Sequence, residues 1–315
     1  MAETDSGLRR SLQLALAGVW LLDAILQFQP VFFTKAFANG MLRPTADGNP
    51  SPVSHSINWA STIIANHSVS TNSAFALIQL AIALGIACRA TVKPALALSV
   101  AWSLVVWWFG EGLGGILHGG ASALAGGPGA VLLYGVLAVL LWPTASESKA
   151  GSFVAAGRIG DVAARAVWAV VWCALAIFSL VGSNRSPDGA SDLIRSTTGG
   201  EPGWLVSMDG HIANLLSGAG LTVAIVLALV LLTIALRSVA VGGSARIFVV
   251  AAVVVSIVIW VFFEGFGGIL GSGSTDPNSG PLLIILALSY WPLSTRAAEV
   301  PSTYSVRPLL PVAGV

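Results

Sequence analysis

Trp107-Trp108-Phe109-Gly110-Glu111-Gly112-Leu113-Gly114-Gly115-Ile116-Leu117 recurs later in the chain as Trp260-Val261-Phe262-Phe263-Glu264-Gly265-Phe266-Gly267-Gly268-Ile269-Leu270. Each copy places one acid and a run of glycines at the end of a long apolar segment. An acid that ends a membrane-length helix is costly to keep and marks a functional site by default. The recurrence also divides the chain into two related halves, residues 1–150 and 151–315.

The surroundings of the two copies set the class of protein. The 315 residues are 55% hydrophobic and 9% charged, with a mean hydropathy of +0.84. A soluble domain carries roughly 25% charged residues, so the chain reads as a multi-pass membrane protein whose first partner is the lipid bilayer. A net charge of +1 with no basic tract excludes nucleic acid as the main ligand. Cys88 and Cys173 both fall in apolar segments and read as packing residues. Arg9 and Arg10 precede an apolar stretch at 12–33 that is longer than the apolar region of a signal peptide, roughly 7–15 residues. It reads as an uncleaved first span.

Spans are expected where about 20 apolar residues run together: 12–33, 73–88, 95–109, 162–181, 221–236 and 247–263. Two shorter ones, 130–142 and 281–291, each follow a glutamate motif and close on a Trp-Pro pair. The fold expected is therefore an all-α integral membrane protein with eight transmembrane helices. They form two tandem four-helix repeats, which an even number of spans makes parallel. Trp20 aligns with Trp172, Arg89 with Arg237 and Glu111 with Glu264. With both termini cytoplasmic, eleven of the 15 lysines and arginines fall on the inside, as the positive-inside rule requires for a plasma (inner) membrane protein. Two long outer loops result, 34–72 and 182–218. Within them 57–65 and 204–216 are expected either to lie as interfacial helices or to fold back over the bundle.

On this topology Glu111 and Glu264 stand at the outer ends of the third and seventh helices. Gly114 and Gly267 lie in glycine turns that permit left-handed backbone at membrane depth. Two readings stand for the glutamates: a pair of ligand- or ion-binding carboxylates, or caps for local backbone N–H groups. Asp23 is expected near mid-membrane, with Gln27 one turn further on the same face and Gln29 and Gln79 as further polar candidates. Its aligned residue is Leu175, so a polar site in one half competes with a helix-to-helix hydrogen bond. Trp107 and Trp108 suit either an interfacial aromatic belt or stacking against a flat ligand. His67, His118 and His211 fall on the outer side with the glutamates. Imidazole is a common metal ligand, but no paired spacing accompanies them, so capping histidines compete with a metal or haem site.

The segment from Ala76 through Gly85, Arg89 and Lys93 to Leu96 resembles the second helix, tight basic turn and third helix of DoxX-like membrane proteins, which are compact four-helix units. The likeness covers the spans of one half, and more loosely 227–249. It implies a membrane redox accessory role, with sulfur and quinone chemistry nearby; no family site maps onto the Glu-Gly-x-Gly-Gly motif. Taken together, the first expectation is translocation of a small solute, proton or cation through a site near the outer face. The alternatives are a redox subunit holding quinone, haem or metal, and a non-catalytic subunit of a larger membrane complex. The chain is not read as a stand-alone enzyme, and no cofactor is assigned.

Overall fold

The computed structural model describes residues 2–144, 151–199, 201–238, 244–271 and 273–293. Residues 145–150, with Lys149, at the junction between the two halves lie outside the described residues, as do Arg296 and Arg307. All regular structure among the described residues is helical. The main helices are α1 (Ala2–Leu26), α2 (Ser51–Asn66), α3 (Ser68–Ala87), α4 (Val92–Phe109), α5 (Ala130–Leu140), α6 (Ala156–Ser179), α7 (Gly189–Thr197), α8 (Gly203–Leu216), α9 (Gly220–Ala235), α10 (Ser244–Val258) and α11 (Ser279–Ser289).

Five described helices are long and apolar enough to cross a membrane: α3, α4, α6, α9 with its tight extension to Ser238, and α10 with its wide-turn extension through Phe263. Helix α1 has the length, 25 residues, but its apolar run begins only after Arg9 and Arg10. Helices α5 and α11 have 11 residues each, so each rises about 16 Å, half of a hydrocarbon core of about 30 Å. Each segment expected to span holds an α-helix, though that of 12–33 stops at Leu26, and these two are too short as helices to cross alone. The bundle buries a set of polar side chains within a largely apolar interior and turns further apolar side chains outward. Asp23, Gln27, Asn72, Gln79 and Ser99 are buried, while Leu77, Leu84, Leu104, Val170, Ile177, Leu229 and Val254 are exposed. Water would penalise that outward face, whereas lipid does not.

Packing is reciprocal. Helix α1 lies along α3, α4 along α5, α6 along α9, and α10 along α11; the two short helices then pack on each other at the centre, α1 reaching α11 and α5 reaching α6. A core of Trp20, Tyr134, Trp168, Trp172 and Tyr290, all fully buried, runs through this centre. At the end of the bundle away from the glycine turns, side chains of one element bind backbone carbonyls of another. Gln13 Nε2 of α1 donates to Leu141 O, at the C-terminus of α5 where carbonyls lack helical partners, at 2.8 Å. Arg9 of α1 donates to Val154 O at 3.0 Å, and Tyr290 Oη, just after α11, donates to Ala164 O of α6 at 2.5 Å.

The long loops are structured. Helix α2 contains the expected segment 57–65, and α8 coincides closely with 204–216. Both fold back: Ile57 of α2 is fully buried in a cluster with Ala46, Val53 and Leu113 of the first glycine turn, and Leu205, Asp209 and Ala213 of α8 are buried.

The glycine turns dictate how the chain returns into the bundle. Leu113, Gly114 and Gly115 have φ of 59°, 59° and 73°, and Phe266 and Gly267 have 55° and 69°. At Gly114 a Cβ would collide with the Pro128 carbonyl, and at Gly267 with that of Pro277. Trp107 Nε1 donates to Pro128 O at 2.8 Å, and Trp260 Nε1 to Pro277 O at 2.9 Å. Each tryptophan thus ties the helix before the turn to the chain after it. Gly114→Ala and Gly267→Ala are each expected to cost about 1–3 kcal/mol, read as a lower melting temperature in detergent. Gly18→Ala, in α1 with open space around it, should leave the melting temperature unchanged or raise it.

Candidate functional site

The two glutamates cap the short helices, but they do so unequally. Glu264 is buried; its Oε2 accepts from Gly280 N at 3.0 Å and its Oε1 accepts from the Ser279 hydroxyl. Both oxygens are spent on the first turn of α11, where unsatisfied N–H groups favour an anion. Glu111 makes the corresponding contact with α5, Oε1 accepting from Val131 N at 3.3 Å. Its Oε2 is enclosed and has no hydrogen-bond partner among the described residues. Of the two readings open for these acids, capping describes Glu264 fully and Glu111 in part.

That spare oxygen belongs to a cavity of about 270 Å³ lined by Asp23, Gln79, Trp102, Glu111, Tyr134 and Asp276 among largely apolar neighbours. Five of these residues carry an enclosed polar atom without a partner among the described residues: Asp23 Oδ1, Gln79 Oε1, Trp102 Nε1, Glu111 Oε2 and Tyr134 Oη. Each such atom costs about 1–3 kcal/mol if nothing meets it. Asp23 and Tyr134 stand within side-chain hydrogen-bonding reach of each other, short of the alignment of a formed hydrogen bond. Asp23 sits three residues before the end of α1, on the cavity wall it shares with Gly110 and Glu111.

Other expected residues have structural partners. Gln27 lines the cavity, but its amide is tied to α3: Asn72 Nδ2 donates to Gln27 O at 2.8 Å, and Gln27 Nε2 donates back to Asn72 Oδ1. Trp107 is held by Pro128, and Trp108 Nε1 donates to Ser56 Oγ of α2 at 2.8 Å. Neither tryptophan lines the cavity. Gly114 and Gly267 serve the turns. His67 caps the α2–α3 junction, its carbonyl accepting from Thr71 Oγ1 at 2.8 Å; His118 packs on Gly48 and Gly120; His211 Nδ1 lies 2.6 Å from Ser207 O within its own helix. Among the described residues no group of three or more His, Cys, Asp or Glu side chains is placed to hold a metal ion.

Sequence reading missed Asp276, Trp102 and Tyr134. Asp276 comes from the turn before α11, in the second half, yet lines a cavity built on α1, α3, α4 and α5. Gln29 grips that turn across the halves: its Oε1 accepts from Gly273 N at 2.6 Å and its Nε2 donates to Ser274 O at 2.8 Å. Thr275 and Asn278 fix the carboxylate, the Thr275 hydroxyl at 2.8 Å and Asn278 N at 2.8 Å. A Ser-Thr-Asp-Pro-Asn run is a turn signal, but nothing in it reveals which wall the acid joins. A second pair of acids, Glu201 and the fully buried Asp209, lies against the other glycine turn, where Glu201 Oε1 occupies the space a Cβ on Gly265 would need.

Electrostatics follow from this enclosure. Burial first, then the Asp276 charge, pushes the Glu111 carboxyl, which lies beyond the last residue of α4, up to about 8. Burial raises Glu264 to about 7 against the lowering effect of Ser279 and Gly280. Burial and Asp209 raise Glu201 to about 7, and burial raises Asp209. A carboxyl whose folded pKa lies above its unfolded value of 4.5 contributes stability that is complete below about pH 4.5 and is lost as pH rises through the folded value. The Glu111 contribution should therefore fade between pH 4.5 and 8. Melting temperatures of the wild type and Glu111→Gln are expected to converge near pH 5 and to separate by pH 8.5, with the variant the more stable. A constant difference across that range would refute the assignment.

No model of a known family, no curated protein and no solved structure matches the chain.

Proposed function

We propose that the chain is a membrane-embedded carrier that binds a small solute in this cavity and moves it, or a proton exchanged for it, across the bilayer. The observation that carries this reading is the convergence of three carboxyl groups from both halves on a mostly apolar cavity with five unpartnered polar atoms. Unsatisfied polar groups enclosed beside a cavity are the signature of a ligand site. A carboxyl held near neutral pKa beside such a site suits proton exchange.

The eight helical segments are read as two DoxX-like four-helix units in tandem. The matched conformation of the two glycine turns, with a Trp-to-Pro and a Glu-to-helix contact in each, supports a duplication. Under that alignment Asp23, Gln79 and Tyr134 correspond to Leu175, Leu227 and Leu283, which belong to or pack on the main apolar core. One unit keeps a polar cavity and the other supplies scaffold and Asp276. Reconstituted protein is expected to show solute-dependent proton flux that Asp23→Asn and Glu111→Gln each reduce at least about tenfold. Normal flux in the double variant would sink the carrier reading.

A quinone-holding redox subunit is the second reading. What favours it is the pair of unpartnered donors, Trp102 Nε1 and Tyr134 Oη, in an aromatic cavity where two carbonyl oxygens would meet them. Co-extraction of a quinone with the purified protein would favour it over the first.

Orientation in the plasma membrane, with both termini cytoplasmic, has its own test. Cys88 is exposed just beyond the end of α3, at the opposite end of the helix from the glycine turns. Its pKa is lowered by the backbone of Ala90 and by Thr91, which favours the reactive thiolate. A membrane-impermeant maleimide should label Cys88 in inverted vesicles and not in intact cells; the reverse pattern would invert the topology.

A further inference from the structure

Among the described residues no lysine, arginine or histidine lines the cavity that holds Asp23, Glu111 and Asp276. Carboxylates without a partner cation in an apolar enclosure are high in energy. The same wall carries the rings of Trp20, Phe75 and Trp102, and aromatic faces attract cations. We propose that the cavity takes a small organic ammonium ion: a protonated amine whose nitrogen sits among Asp23, Glu111 and Asp276 and whose compact apolar body lies against the aromatic rings. This inference rests on the reading of the cavity as a solute site and names its ligand class.

The geometry supplies what such a ligand needs. An ammonium group offers three N–H donors, and Asp23 Oδ1, Gln79 Oε1 and Glu111 Oε2 are acceptors without a donor among the described residues. Asp276 adds charge from the other half and is held in place by Gln29 through the backbone of Gly273 and Ser274. Gln29 is therefore a positioning residue. A volume of about 270 Å³ falls just below the range of pockets for drug-sized ligands, which starts at about 300 Å³, so the apolar body is the size of a single ring. The groups facing Glu111 are Asp23 from α1, Tyr134 from α5 and Asp276, none of them a cation. A cationic ligand therefore favours the ionised form of Glu111, and binding releases its proton to solvent while the ammonium keeps all of its own.

The test is calorimetric titration of the purified full-length protein in detergent with benzylammonium, benzyl alcohol, benzoate and a short-chain benzoquinone. Benzylammonium is expected to bind alone among the four, more tightly at pH 8 than at pH 6, with release of up to one proton. Asp23→Asn and Glu111→Gln should each weaken it about ten- to hundredfold, and Gln29→Ala less, with Asp23→Glu retaining binding as evidence that the fold survives. Benzyl alcohol or the quinone binding as tightly as the amine, no binding of the amine at all, or affinity unchanged in folded Asp23→Asn and Glu111→Gln would each overturn the proposal. Flux of benzylammonium in proteoliposomes separates the two readings. Binding without flux keeps the ligand class and removes translocation, whereas Glu111-dependent flux of a neutral or anionic solute without amine binding does the reverse.

Discussion

The structure depends on one constraint: a chain that turns back among apolar helices must satisfy the N–H groups of the helix it begins. Here a glutamate at the end of one helix meets those groups on the next, Glu111 at Val131 and Glu264 at Gly280. A left-handed run of glycines brings the two helices close enough for the contact. Everything downstream is set by that junction. It fixes where α5 and α11 start, and so allows two 11-residue helices to meet at the centre. Once a carboxyl is committed there, its second oxygen either finds a local donor or becomes available for other work.

The two junctions resolve that choice differently. Ser279 supplies the second donor for Glu264, whereas Ala130 at the start of α5 has no hydroxyl to offer Glu111. A single hydroxyl thus separates a carboxyl spent on architecture from one with an oxygen left over. Asp23, Gln79 and Tyr134 share the cavity with Glu111, whereas Leu175, Leu227 and Leu283 belong to or pack on the main apolar core.

Much of this was legible in the sequence because it is local. The left-handed turns follow from glycine runs and the helices from apolar length. Unequal roles for Glu111 and Glu264 were not legible, since the motifs around them are nearly identical and the difference lies in Ser279, outside both. Trp107 and Trp108 looked like ligand-stacking or belt residues, but a tryptophan N–H within reach of a carbonyl or hydroxyl is spent there. Asp276 was hidden for a topological reason. It reaches the cavity only because Gln29 holds its turn, an interaction between residues 245 apart, and no periodicity or spacing rule spans that separation.

The grip of Gln29 on Gly273 and Ser274 also orders events in time. Ribosomes deliver chains from the N-terminus, so α1, α3, α4 and α5 are inserted while the residues that complete their cavity are still untranslated. During that interval Asp23 and Glu111 sit in a wall with a missing side. The cavity is finished only when the turn before the last described helix emerges. Completion of the cavity is thereby a late step in biogenesis, and a chain truncated before that turn would display an unfinished acidic face to the machinery that removes defective membrane proteins.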